Sequence, residues 1–160
     1  QALFQLDARG GGDADAVRAA MEQSGDFSAR ERERAFTLAL AAYAGRTQAD
    51  ALMEELAPEW PAKRQPAVDR AILRLAHEEL RAGEAAVGVV LNEAVELAKE
   101  FGTEKSPPFV NALLDRASRR LRSGGAGGTQ AGGDDGTGGG AGGLARDEGE
   151  NPGAGSPAVD

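Results

Sequence analysis

Two aromatic residues bracket a short polar turn in the second half of the chain. Phe101 precedes residues 102–108 and Phe109 follows them, with Lys105 in the middle of the turn. Aromatic rings beside an exposed turn often anchor a core, but they also serve as stacking surfaces for unpaired RNA bases. Aromatic residues make up only 4% of the chain, so two of them at one turn suggest a binding role as the alternative to core anchoring.

A cluster of arginines follows on the last predicted helix. Arg116, Arg119 and Arg120 are spaced i, i+3, i+4 and therefore share one side of that helix. Cations near a helix C-terminus complement the helix dipole, which is a purely structural use. The same arrangement resembles a set of phosphate contacts. The spacing alone favours the structural use and leaves RNA contact open.

Two further groups of polar residues could do chemistry in principle. His77 stands beside Glu78 and Glu79, a combination that acid–base catalysis can use. Three carboxylates recur at i, i+3, i+7 and could hold a divalent cation. We favour an ordinary helix position for the first group and a solvated helix face for the second, because Lys99 lies among the carboxylates. We expect no catalytic residue, no metal site and no cofactor. The carboxylates of the second group are Glu93, Glu96 and Glu100.

Composition divides the chain into two parts. Residues 123–160 hold 15 of the 23 glycines and carry a net charge of −5, which leaves −3 of the total −8 on residues 1–122. A segment so poor in apolar residues cannot offset its backbone entropy, so we expect a disordered acidic tail after one folded domain. A strongly basic domain would indicate nucleic acid; here any RNA site must be a local patch.

The sequence has no cysteine, no apolar run long enough to span a bilayer and no visible signal peptide. These features exclude disulfides and thiolate chemistry, and they lead us to expect a cytoplasmic protein without membrane contact. The chain starts without Met, and its first residues read as the middle of an amphipathic helix. We therefore expect the first helix to be truncated.

Hydrophobic periodicity predicts an all-α fold, a compact bundle of about seven helices. Asp13 or Asp15 is expected to cap the second helix, and Ser28 with Glu31 forms a capping box at the start of the third. Ser106 is expected to cap the last helix. Two apolar stripes are expected to face the core: Phe36, Leu40 and Tyr43 on the third helix, and Val90, Ala94, Leu97 and Phe101 on the sixth.

Four segments resemble the NusB family of bacterial RNA-binding antitermination factors. They are residues 1–6 (QALFQL), 67–76 (AVDRAILRLA), 89–99 (VVLNEAVELAK) and 106–115 (SPPFVNALLD). The resemblance spans residues 1 to about 122; it is strong over 67–116 and thin over 10–60. It implies an all-helical, NusB-like fold of two small subdomains.

The resemblance also implies a function. Family members bind a single-stranded boxA element of nascent ribosomal RNA, pair with the small-subunit ribosomal protein NusE, and act with other Nus factors on the RNA polymerase elongation complex. Arg74 and Asn92 are expected to join helices through buried hydrogen bonds. The positions carried over as RNA-binding are Gln1, Phe101, Lys105, Phe109 and Arg116, and those carried over as partner-binding are Phe4 and Asp69.

The sequence departs from the family in several places. The arginine-rich N-terminal arm is not in the sequence, Lys105 replaces an acidic residue, and Pro107 and Pro108 replace polar ones. Weak boxA binding is therefore expected. Two other functions stay open: an accessory domain of a ribosomal RNA cytosine methyltransferase, and a protein-interaction module without RNA binding. The tail could be a spacer or an acidic decoy for the basic patch, and we favour the spacer.

Overall fold

The computed structural model describes residues 1–23 and 27–125, and the regular elements within these ranges are all helical. The predicted all-α class and the count of seven helices are confirmed for this part of the chain. The tail beyond residue 125 lies outside the described residues. A 3-10 turn, Ala62–Arg64, connects the fourth and fifth helices. The helices are α1 Ala2–Ala8, α2 Ala14–Glu22, α3 Ala29–Ala44, α4 Arg46–Leu56, α5 Ala67–Ala82, α6 Val87–Phe101 and α7 Ser106–Gly125.

Two hydrophobic clusters divide the bundle into the two expected subdomains. Helices α1 to α3 close around one, and α4 to α7 close around the other. Helix α5 serves both, because Ala71 and Leu75 pack on the first cluster while Ile72, Leu73 and Ala76 belong to the second. The broad apolar face of α5 is thus explained by its position between the two. The fully buried side chains include Leu6 and Val17 in the first cluster and Met53, Val90 and Leu114 in the second.

A buried ionic network fixes α1 and α4 to α5. Arg74 donates from Nε and Nη2 to the two carboxylate oxygens of Asp50, at 2.8 and 2.6 Å, and from Nη1 to Asp7 at 2.5 Å. Arg70 donates to the other oxygen of Asp7 at 3.1 Å. The predicted interhelical role of Arg74 is confirmed. The same prediction for Asn92 is wrong, since Asn92 is exposed on α6.

The start of α3 is fixed by the predicted capping box. The Glu31 N–H donates to Ser28 Oγ at 3.2 Å, and the Ser28 N–H donates to Glu31 Oε2 at 2.8 Å. Each bond satisfies a backbone donor that the first turn of a helix leaves free. This helix carries Phe36, so the cap also orients the wall of the first cluster.

Replacing Ser28 with Ala should lower the free energy of unfolding by about 1 kcal/mol, the usual cost of losing an N-cap side chain. Urea unfolding followed by circular dichroism measures the change. Thr37→Ala, at an exposed position of the same helix, is the matched control and should be neutral or slightly stabilising because Ala has the higher helix propensity. Equal midpoints for wild type and Ser28→Ala would show that the cap contributes nothing.

Two local expectations are wrong. Leu40 is 37% exposed, because the buried stripe of α3 runs through Phe36, Ala39 and Ala42 instead. The small side chains of the two alanines let α1 and α5 approach. Asp13 makes no side-chain cap on α2. It adopts a left-handed backbone with φ of 65°, and its carboxylate pairs with Arg9 at 3.0 Å instead.

Candidate RNA interface

The turn between α6 and α7 is closed by reciprocal hydrogen bonds. The Thr103 N–H donates to Ser106 Oγ at 2.9 Å, and the Ser106 N–H donates to the Thr103 carbonyl at 2.9 Å. The expectation that Ser106 caps α7 is therefore wrong: Ser106 is buried in the first turn, and its hydroxyl serves the upstream residue. Gly102 packs so closely on Ser106 that the turn has no room for a side chain at this position. This turn sets Phe101 and Lys105 at fixed positions.

Phe101 does not point into the core as expected. Its side chain is 47% exposed, although Phe101 lies seven residues after Ala94 and so on nearly the same side of α6 as the buried residues Val90, Ala94 and Ala98. The ring lines an apolar cavity of about 330 Å³ between α1, α5 and α6. Gln1 and Phe4 line the same cavity. Three sequence-predicted site residues are thus brought together.

A second group of site residues lies along α7. Phe109 and Arg116 are seven residues apart and so share one side of α7, and Lys105 lies in the turn directly before Ser106, the first residue of the helix. Lys105 is exposed, Phe109 is half-buried, and Arg116 is exposed while donating to the Leu56 carbonyl at 3.3 Å. We call this set of residues the α7 line. The turn between α6 and α7 has Phe101, a cavity residue, at one end and the α7 line at the other.

Sequence reasoning missed Trp60. Its indole meets the Phe109 ring edge-on, with centroids 6.4 Å apart and planes at 66°. It also remains 42% exposed. The available signal was a lone tryptophan in a linker between Pro58 and Pro61, with Lys63 and Arg64 shortly after it.

Arg119 and Arg120 of α7 have structural partners. Arg119 pairs with Asp115 at 2.8 Å, and Arg120 pairs with Glu55 at 3.0 Å. These contacts support the structural interpretation for this part of the arginine cluster. Arg116 differs, because its hydrogen bond is to a carbonyl oxygen and leaves its charge unneutralised.

Asp69, a predicted partner-binding residue, is almost fully enclosed. It lies in the first turn of α5 with 3% of its surface exposed. Its Oδ1 atom is buried without a hydrogen-bond partner. A buried oxygen atom without a partner lowers the stability of the folded state. Phe4, the other predicted partner contact, is exposed on α1 at the cavity described above.

The polar residues His77, Glu78 and Glu79 near the C-terminal end of α5 have structural surroundings within the fold. Burial lowers the pKa of His77, and although the Glu78 charge raises it, the net shift is downward. Glu78 receives two hydrogen bonds from Arg81, at 3.0 and 2.6 Å, and is not directed at a shared site. Burial, together with the charge of Glu93, raises the pKa of Glu79. The structural interpretation of this group is supported.

The carboxylates of α6 face solvent, where Glu96 pairs with Lys99 at 2.7 Å. In the part of the chain that the structure describes, no three metal-ligating side chains converge. No helix in that part is long and apolar enough to cross a membrane.

Comparison with known proteins gives a consistent result. The family model described as "NusB family" matches residues 1–119. A transcription antitermination protein NusB of Herpetosiphon aurantiacus is 42% identical over 77% of this chain and 86% of its own length. One from Roseiflexus sp. is 36% identical over 76% of this chain and 87% of its own length. A solved structure of T. maritima NusB has a TM-score of 0.64 and 32% identity, covering 74% of this chain and 83% of that chain.

Proposed function

The chain belongs to the NusB family of transcription antitermination proteins, and from this premise we propose that it binds single-stranded boxA RNA together with the ribosomal protein NusE. The complex would act on the RNA polymerase elongation complex with the other Nus factors, in the bacterial cytoplasm where transcription takes place. The proposal assigns RNA contact to Gln1, Phe101, Lys105, Phe109 and Arg116, and NusE contact to Phe4 and Asp69.

The exposure of Phe101 is the observation that carries the proposal. A phenylalanine left 47% exposed at a helix end forgoes part of its hydrophobic stabilisation. An exposed ring at the start of a hydrogen-bonded turn is suited to stacking on an unpaired base, which is how single-stranded RNA is commonly bound. The base would lie over the cavity that Phe101 shares with Gln1 and Phe4.

The α7 line supplies the electrostatic component. Lys105 and Arg116 are exposed cations on either side of Phe109. They suit a phosphate backbone running along the helix, with one aromatic ring between two positive charges. A local patch of this kind is compatible with a body whose net charge is −3 out of a total of −8.

We assign the two partners to adjoining surfaces. Phe4 is exposed on the α1 wall of the cavity, so a protein partner that covers it would lie directly beside the base stacked on Phe101 and would leave α7 open to RNA. Asp69 is buried, so its carboxylate could reach NusE only after a local rearrangement of the start of α5. The buried and unpartnered Oδ1 atom is a reason for such a rearrangement.

The methyltransferase accessory domain is the weaker alternative. The chain spans 86% of the Herpetosiphon aurantiacus relative, which is itself named as a transcription antitermination protein. We propose that residues 1–122 form the RNA-binding domain and that the acidic residues 123–160 act as a spacer. Helix α7 continues past that boundary to Gly125. An interaction module without RNA binding is the remaining alternative, which the experiment below separates.

Fluorescence anisotropy of a dye-labelled boxA-type RNA tests the proposal, measured at two salt concentrations with and without NusE. We expect binding that NusE strengthens and salt weakens. The logarithm of the binding constant should fall with the logarithm of the salt concentration, with a slope of about −0.7 for each phosphate contacted. Phe101→Ala should weaken binding by about tenfold, since stacking on one base contributes about 1–3 kcal/mol.

Val89→Ala is the matched control, because Val89 is an exposed apolar residue near the opposite end of the same helix. It should leave affinity unchanged. Absence of binding under every condition would refute RNA binding and favour the interaction module. Equal losses in the two variants would show that the effect of Phe101 is not local to the site.

A further inference from the structure

The backbone of Trp60 is anchored although it lies in a linker. The backbone N–H of Trp60 donates to the Ala57 carbonyl at 2.9 Å, and its backbone carbonyl accepts from Gln65 Nε2 at 3.0 Å. Gln65 is buried, so this anchor is part of the folded core. The indole ring itself packs against Phe109 and remains 42% exposed, so a ligand that covers it costs little side-chain entropy.

The surroundings of Trp60 are aromatic and basic. The indole packs edge-on against Phe109, and the Arg64 guanidinium lies 5.7 Å from the indole centroid. Lys63 is exposed in the same 3-10 turn. We call Trp60, Arg64 and Lys63 the Trp60 platform. It is joined to the α7 line through Phe109, so the two surfaces are continuous.

We propose that the Trp60 platform stacks a second unpaired base of the RNA, next to the nucleotides held along α7. The inference rests on the RNA binding proposed above and extends that site across the linker between α4 and α5. The indole face offers the stacking area, and a base stacked there would bring its phosphates towards the cations that flank the two rings. Those cations are Lys63, Arg64, Lys105 and Arg116.

The charge balance favours RNA over a protein partner as the occupant. The acidic neighbours are Glu59 in the linker and Glu104 beside Lys105, and Glu55 on α4 is already neutralised by Arg120. The four cations therefore exceed the acids that remain to oppose them. A polyanion with aromatic bases satisfies both features of this surface, whereas an apolar protein surface would leave the cations without partners.

The chain has one tryptophan, so its emission reports on this platform directly. The full chain is titrated with a short single-stranded boxA-type RNA while Trp60 emission and the anisotropy of a dye on the RNA are recorded. We expect the emission to be quenched with the same midpoint as the rise in anisotropy. Trp60→Leu should weaken binding by about tenfold and Trp60→Phe by less, because only Phe keeps an aromatic ring.

Leu40→Ala, an exposed apolar site on α3, controls for general surface effects, and the melting temperature of each variant reports folding. A rise in anisotropy with unchanged emission and full affinity in Trp60→Leu would overturn the Trp60 proposal and leave the proposed function intact. Quenching by a tryptophan-free NusE without RNA, and none by RNA, would assign the platform to the protein partner instead. No rise in anisotropy would overturn both proposals.

Discussion

Replacing Arg74 with Met should lower the free energy of unfolding by about 3 kcal/mol, the low end of the cost of removing one partner from a buried ion pair. The Arg74 side chain is 9% exposed and holds Asp7 and Asp50 at once. Its loss leaves Asp50 without its ionic partner and Asp7 with Arg70 alone. The low end applies because the two carboxylates keep some access to water. Urea unfolding followed by circular dichroism measures the effect.

Arg119→Met is the matched control. Arg119 also pairs with a carboxylate, that of Asp115, but both side chains are largely exposed, so the change should cost less than about 1 kcal/mol. Combining Arg74→Met with Asp50→Asn should recover part of the loss, because the uncompensated charge is removed. An Arg74→Met protein as stable as the control would show that the network does not hold the subdomains together.

The acid dependence of stability should change in the same variant. Burial raises the pKa of Asp7, but hydrogen bonds and charges from Arg70 and Arg74 outweigh it, so the folded-state pKa lies below its usual value. A carboxyl with a lowered pKa contributes stability above its unfolded pKa of about 3.9 and loses it as the pH falls through the folded value. Wild type should therefore lose more stability than Arg74→Met on acidification below about pH 4.

Local sequence patterns predicted those parts of the fold that depend on neighbouring residues. The capping box needs only Ser28 and Glu31, three positions apart, and it forms as expected. The network around Arg74 depends on residues 67 and 24 positions away, so the spacing could indicate a buried arginine but not its partners. Leu40 fits a helical stripe equally well, and only the close approach of α1 and α5 on the Ala39 side leaves it exposed.

The candidate site also has a part that the local sequence predicted and a part that depends on distant residues. The α7 line follows from local spacing, because Phe109 and Arg116 are seven residues apart on one helix and Lys105 directly precedes that helix. The grouping of Phe4 with Phe101 depends on how α1 packs against α5 and α6, which periodicity does not specify. Trp60 was missed because an irregular linker has no period, and its edge-on contact with Phe109 is made in three dimensions.

Gly102→Ala should be the most damaging small substitution in the site, lowering the free energy of unfolding by about 2–3 kcal/mol as overpacking of a closed turn does. A Cβ atom at Gly102 would lie 2.6 Å from the Ala98 carbonyl oxygen and 2.6 Å from the Cβ and Oγ atoms of Ser106. The backbone dihedrals are ordinary, with φ of −94°, so the cost is one of space. The Ala98 oxygen is backbone and Ser106 is buried, so neither yields easily.

Gly88→Ala separates this effect from helix propensity. An added Cβ at Gly88 meets no atom within 4 Å, so in the exposed first turn of α6 the substitution should stabilise the protein by about 0.5 kcal/mol. Opposite signs for the two variants in urea unfolding would support the space argument, and two similar values would refute it.

Because the turn between α6 and α7 positions both Phe101 and Lys105, Gly102→Ala should also weaken RNA binding under conditions where it remains folded. A destabilised Gly102→Ala protein with unchanged RNA affinity would show that the geometry of this turn does not set the binding surface.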